Sequence, residues 1–275
     1  MASGNPPKPS VEPGIEPRVR PLWSLRVAFA FLTRLGIRHP ADAGSGDLGR
    51  AGWAFPMVGL VVGGIGGGIA AGALALDLPP LLAAILGVAA MVLVTGALHE
   101  DGLADVADGF GGAFEREKKL AIMRDSRIGT YGVLALILVM AGRLAAIEAL
   151  QEPLAALAAI IAAAVLSRAA MVPLMAALPA ARSSGLGADA GRPGAANTVV
   201  TTLIAAAVAI AALGPMGGII AAAAVAVVAG VFAALAMRQI GGATGDVLGA
   251  AQQLSDVTAL IAATVMLDLF DVWWA

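Results

Sequence analysis

No cysteine occurs in the 275 residues, which excludes disulfides, thiolate metal sites and a cysteine nucleophile and leaves the redox compartment open. Only two histidines are present, which argues against a histidine-rich transition-metal site. Charge is scarce as well. Asp, Glu, Lys and Arg make up 13% of the chain and 59% is hydrophobic, whereas a soluble domain carries roughly 25% charged residues. So few charges cannot cover a water-facing surface of this size, and the lipid bilayer must be the solvent for much of it. A secretory signal is missing too, because the opening has no compact apolar core followed by a cleavage site. Repeated prolines make residues 1–21 read as a disordered tail, leaving 22–275 as a single membrane-embedded domain.

What is present is long apolar runs. A membrane span needs roughly 20 mostly apolar residues. Segments 51–76, 80–98, 131–150, 153–178, 198–213, 216–237 and 257–275 qualify, the fifth being short. The expected fold is therefore an all-α polytopic bundle of about seven transmembrane helices, with six to eight the accepted range. Ahead of it, 22–36 reads as a helix lying at the membrane surface, since Arg26 and Arg34 interrupt an apolar face carrying Trp23, Phe29 and Phe31. The glycines and alanines of 63–72 read either as a close-contact face or as unspecific composition.

The connections are of two kinds. Those at 77–80, 151–153 and 214–215 are tight turns, while 99–130, 179–197 and 238–256 are long and polar. Of the 17 Lys and Arg, 15 fall in the N-terminal region or the long connections, and the tight turns hold none. Positive loops stay in the cytoplasm. The polar face and the N-terminus are thus expected inside, and the C-terminus outside with Trp273 and Trp274 at the interface.

The most informative stretch is 99–109, HEDGLADVADG. On a helix, Asp101, Asp105 and Asp108 stand at i, i+4 and i+7 and share a face. Like charges so close repel and raise one another's pKa. A bound cation relieves that, and an all-oxygen set favours Mg²⁺, Mn²⁺ or Ca²⁺ over zinc. The plainer reading is a solvated acidic helix end. Two features favour the metal reading: the cluster follows a span directly, and a basic run follows it with Arg116, Lys118, Lys119, Arg124 and Arg127. Carboxylates and cations at one membrane face suit a phosphorylated substrate, though such a run also attracts anionic lipid. Asp125 sits between Arg124 and Arg127, so an ion pair is available there. Residues 241–250, GGATGDVLGA, resemble a phosphate-cradling turn but lack the Gly-Lys-Ser/Thr ending of a P-loop.

Taken together, HEDGLADVADG, IMRDSRIGTYG and GGATGDVLGA resemble the signature blocks of the cobalamin synthase family, the adenosylcobinamide-GDP ribazoletransferases. Phe55-Pro56-Met57-Val58-Gly59 and Arg182-Ser183-Ser184-Gly185-Leu186-Gly187 match two more, and the blocks run in family order from about residue 25 to 256. The resemblance implies a multi-span enzyme of the bacterial inner membrane with its active-site loops facing the cytoplasm. It joins adenosylcobinamide-GDP to α-ribazole, or its 5′-phosphate, and releases GMP with Mg²⁺ as the expected metal. It also implies Asp101, Asp105 and Asp108 as metal ligands with Asp246 as a fourth. His99 or an aspartate then serves as general base, and Arg124, Asp125, Arg127, Arg182, Thr244 and Asp246 bind substrate.

The expected partners are those two substrates and the bilayer, with no nucleic acid. Assembly as a homo-oligomer or with other cobalamin-pathway enzymes is also open. Three rival readings stand beside this one. A cation-coupled transporter needs acids at mid-membrane, whereas these cluster in the polar connections, and Glu148, the acid placed to contradict this, lies near the outer end of its helix. A CDP-alcohol phosphotransferase also uses several aspartates on membrane helices, in a pattern not reproduced here. A non-catalytic scaffold needs no metal.

Overall fold

A computed structural model of the protein describes residues 21–183 and 185–269. Its elements are α1 (Pro21–Leu32), α2 (Asp47–Arg50), a 3₁₀ turn at Gly52–Ala54, α3 (Phe55–Ala75), α4 (Pro80–Thr95), α5 (Leu98–Gly112), α6 (Arg116–Ile122), α7 (Thr130–Glu148), α8 (Pro153–Ala177), α9 (Leu186–Asp189), α10 (Ala195–Ile240) and α11 (Gly245–Leu269). Among the described residues the only strand-like feature is an isolated bridge between Ala180 and Ala243. The all-helical expectation holds. The expected tail, Pro21 apart, lies outside the described residues, as do Trp273 and Trp274.

The bundle is built around α8. Its alanines at 155, 156, 159, 162, 163 and 164 are all buried, as suits a helix apolar on every side. Small side chains let α3, α10 and α11 pack closely on it. On α3, Gly59 and Gly63 face α8 so tightly that a Cβ at either would strike its backbone, whereas Gly64, Gly68 and Gly72 face open space. The glycine-rich run is therefore a contact face on one side only.

By length and hydropathy, four helices can cross a membrane: Gly52–Ala75, Thr130–Glu148, Pro153–Ala177 and Ala195–Ile240. Counting the bent pair α4 and α5 as one span gives five. That differs from the seven expected, for identifiable reasons. Helix α4 has 16 residues, because Gly96 and Ala97 adopt left-handed conformations and turn the chain by 89° into α5. The 46-residue α10 joins two expected spans, yet Gly214 inside it has φ 74° and ψ 166° ahead of Pro215. A Cβ on Gly218 would strike the Ile210 backbone, so the two limbs fold back on each other at this hinge. Helix α11 starts at Gly245, not 257, because polar residues placed in a loop by hydropathy are buried and paired within the protein.

Those buried groups bind the bundle together below α5. Arg143 of α7 is ion-paired to Asp256 of α11 (Nε to Oδ2, 3.0 Å) and to Glu100 of α5 (3.3 Å). Gln253 donates to Glu100 at 3.0 Å, and Gln252 donates to Ser167 of α8 at 2.9 Å. Arg168 lies buried beside them and donates to the Ala164 carbonyl. Two arginines and two carboxylates balance in charge, which is what allows such groups inside a membrane protein.

Removing one partner of a buried ion pair strands the other charge, which costs about 3–5 kcal/mol. Arg143→Met should therefore lower the unfolding midpoint in detergent sharply. Adding Glu100→Gln, which removes one stranded carboxylate and leaves Arg168 balanced by Asp256, should recover part of the loss.

Candidate active site

Helix α5 carries the acidic motif as expected, but its carboxylates meet different neighbours. Asp101 is exposed, Asp105 half-buried and Asp108 buried. At 1.5 Å per residue, Asp101 and Asp108 are about 10 Å apart along the axis, too far for one ion to bridge readily. Asp108 instead caps α7. Its Oδ2 accepts from the Gly129 N–H at 2.6 Å and its Oδ1 from the Gly132 N–H at 2.9 Å. A carboxylate there also complements the helix dipole. The two glycines of IGTYG are explained by this contact, since a Cβ on either would collide with the Asp108 carboxylate.

Asp246 comes to Asp101 and Asp105 from the other side. Helix α11 crosses α5 at Gly102, where a Cβ would lie 2.8 Å from the Asp246 carbonyl oxygen. Thr244 caps α11 by accepting from the Val247 N–H at 3.2 Å and donates to Asp246 at 3.1 Å. Thr244 thus orients Asp246. Arg182 pairs with Asp246 at 3.5 Å and donates to the Leu120 carbonyl of α6 at 3.0 Å.

The three polar connections meet here. Ala181 donates to the Ala243 carbonyl at 2.9 Å, and Ala243 to that of Pro179 at 2.8 Å. Arg116, not among the expected site residues, donates to the carbonyls of Ile240 and Ala181, each at 2.7 Å. Together Arg116, Arg124 and Arg182 line an open groove between α6 and the second connection. Asp125 and Arg127 are not in that groove. They pair with each other at 2.6 Å in the exposed turn before α7, and the arginine holds the Asp125 carboxyl down at about 2.

Beside the groove, Asp101 and Asp246 also line a recess walled by Phe31, Phe55, Met171 and Met175. His99 lies in its wall, 1% exposed.

The electrostatics single out Asp105. Burial first, then the nearby Asp101, Asp246 and Asp108, push its carboxyl from 3.8 up to about 7, with Arg182 opposing. Burial also raises Asp246, partly offset by Thr244 and Arg182. Among the described residues, no three His, Asp or Glu side chains form a ready cage for a metal ion. Mg²⁺ does not require one, since it usually takes one or two carboxylates and completes its shell with water and substrate phosphates. The mutual repulsion around Asp105 and the all-oxygen donors of Asp101, Asp105 and Asp246 fit such an ion. Asp108 is committed to α7.

Sequence reasoning missed the network beneath α5. The signal was available: Arg143 and Arg168 are the two basic residues inside expected spans, and an ionisable residue inside a membrane calls for a partner. Arg116 was read only as part of a basic run.

Fold and site together define a polytopic helical membrane protein with carboxylates and arginines converging at one end of the bundle. Residues 24–264 match the family described as cobalamin-5-phosphate synthase. The chain belongs to that family. It is 43% identical to the adenosylcobinamide-GDP ribazoletransferase of Bradyrhizobium diazoefficiens, over 91% of this chain and 96% of that protein. It is 45% identical to that of Azorhizobium caulinodans, over 88% of this chain and 95% of the other. With that of a Sinorhizobium species it shares 48% identity over 85% and 92%. No solved structure matches the chain.

A carboxyl whose folded value, about 7, exceeds its unfolded value of 3.8 adds stability below the unfolded value and loses it as pH rises through the folded one. Asp105→Asn lacks that loss. The variant should gain in unfolding midpoint over the natural protein as pH rises from 5 to 8 without divalent metal, and Mg²⁺ should narrow the gap. A gap independent of pH would refute the crowding of charge at Asp105.

Proposed function

We propose that this chain joins adenosylcobinamide-GDP to α-ribazole, or its 5′-phosphate, with release of GMP, at the end of the bundle where Asp101, Asp105, Asp246 and Arg182 meet. Membership of the family makes it a transferase of cobalamin synthesis. The observation that carries the site reading is the Arg182–Asp246 pair, which joins a cationic groove to a carboxylate cluster.

The chemistry follows from those groups. A ribose hydroxyl oxygen of α-ribazole bonds to the phosphorus attached to cobinamide. The bond from that phosphorus to the bridging oxygen of the diphosphate breaks, and the electron pair leaves with GMP. The hydroxyl proton passes to a carboxylate oxygen of the cluster, which must be ionised to take it. Arg124 and Arg182 hold the diphosphate and offset the charge that grows on it. When bound, Mg²⁺ would be held by one or two of the carboxylates Asp101, Asp105 and Asp246 and would supply charge neutralisation at the phosphate oxygens. Asp108 serves by fixing α7 against α5, and Thr244 by orienting Asp246.

The inner membrane and a cytoplasmic active site belong to this reading. Arg116, Lys119, Arg124 and Arg182 gather around the site, and the tight turns near 77, 151 and 214 hold no Lys or Arg. In this cysteine-free chain, single cysteines at Ser126 and Ser183 should react only from the cytoplasm, and one at Gln151 only from outside. Labelling of Ser126 and Ser183 from opposite faces would contradict the arrangement.

The activity is tested by giving protein purified in detergent both substrates and Mg²⁺ and measuring GMP. Release should be equimolar with the new corrinoid and stop with EDTA. Asp105→Asn should lower kcat by about a hundredfold or more, the scale for losing a group that stabilises transition-state charge. Arg124→Ala should chiefly raise KM for adenosylcobinamide-GDP. No GMP from the natural protein, with both substrates bound, would overturn the reading.

A further inference from the structure

Arg116 lines the same groove as Arg124 and Arg182, yet the reaction leaves it without a task. Much of its hydrogen bonding is spent on main chain. Nε donates to the Ile240 carbonyl and Nη2 to the Ala181 carbonyl, each at 2.7 Å. Ile240 ends α10, so its carbonyl is one of those a helix leaves unpaired, and a cation there also complements the helix dipole. Ala181 belongs to the second polar connection, and Ile240 opens onto the third.

These carbonyls flank the point where the two connections touch. The Ala181 N–H donates to the Ala243 carbonyl, and the Ala243 N–H to that of Pro179. Gly242, at φ 158°, lies so close that a Cβ there would strike the Pro179 carbonyl oxygen. Arg182 follows Ala181 directly, and Asp246 stands three residues past Ala243. Arg182 in turn reaches back to α6 and donates to the Leu120 carbonyl at 3.0 Å. A closed circuit thus runs from α6 through Arg116 to both connections and back through Arg182.

We propose that Arg116 is a positioning residue for the transfer: by tying α6 to the second and third connections at once, it sets Arg182 between Asp246 and the groove that takes the diphosphate. The inference rests on the reaction proposed above. Direct binding of phosphate is the competing role. Against it, Nε and Nη2 are engaged, and Glu117 Oε1 stands 3.6 Å from Nη1, where it offsets the charge. Lysine cannot take over the tie, because one ammonium nitrogen does not span two carbonyls as a planar guanidinium fork does.

Initial rates and hydrogen exchange test the assignment together. A displacement of about 1 Å can cost about a hundredfold in rate, so Arg116→Met should lower kcat/KM for adenosylcobinamide-GDP by about that factor. KM for α-ribazole should stay within about twofold, since the groove holds the other substrate. The loss should act through Arg182: in the Arg182→Ala background, Arg116→Met should cost no more than about threefold, because residues of one network are not additive. Arg116→Lys keeps the charge and reaches one carbonyl at most, so it should remain at least about tenfold below the natural protein. Exchange reads the tie without activity. In Arg116→Met the Ala181 and Ala243 amides should exchange at least about tenfold faster while those of α3 and α8 keep their rates. No loss in Arg116→Met, equal losses with Arg182 present and absent, near-natural activity in Arg116→Lys, or unchanged exchange at Ala181 and Ala243 would each overturn the assignment. In all of these cases GMP release by the natural protein persists, so failure of this inference remains distinct from failure of the function itself.

Discussion

Everything at the site depends on the buried ion pairs that Arg143 makes with Glu100 and Asp256. They join α5, α7 and α11 at a depth where an unpaired charge is intolerable, so the three helices hold one register. Glu100 is the immediate neighbour of Asp101, and Asp256 lies on the same helix as Asp246. Fixing the lower carboxylates therefore fixes the upper ones. Gly102 tightens the arrangement by letting the α5 and α11 backbones touch where Asp246 emerges. The polar groups that look least compatible with a membrane are the ones that position the chemistry above them.

The same constraint explains how repelling carboxylates can persist together. Asp101, Asp105 and Asp246 converge because their helices are held from below and because Arg182 supplies a balancing charge. Such crowding stores unfavourable energy that a cation or a phosphate-bound metal would release. A site of this kind is better fitted to its loaded state than to its empty one, as expected where binding energy is directed toward stabilising charge in the transition state.

Much of this was legible in the sequence. The apolar runs gave α3, α7 and α8 to within a few residues, because length and hydropathy decide a span when nothing else competes. The i, i+4, i+7 aspartates share a face only if 99–109 is helical, a condition that α5 meets. The limits are equally physical. Hydropathy put the polar stretch near Gln252, Gln253 and Asp256 in a loop, since it cannot tell solvated polar groups from polar groups paired inside the protein. Helical spacing grouped Asp108 with Asp101, because angular position says nothing about which helix faces each turn. Asp108 proved to face the start of α7, and only the glycines at 129 and 132 hinted at it. The Gly214-Pro215 turn was read correctly, although the fold-back of its two limbs rests on Gly218 meeting Ile210, which no local pattern announces.

The central claim is that three separate polar connections build one site, with the substrates meeting at carboxylates held by a buried network. A cryo-electron microscopy structure of the protein with adenosylcobinamide-GDP and Mg²⁺ tests it most directly. The account predicts the diphosphate against Arg124 and Arg182 and metal density between Asp101, Asp105 and Asp246, with Asp108 still capping α7. Metal density at Asp108 with the α7 cap broken, or a diphosphate bound away from Arg182, would contradict it.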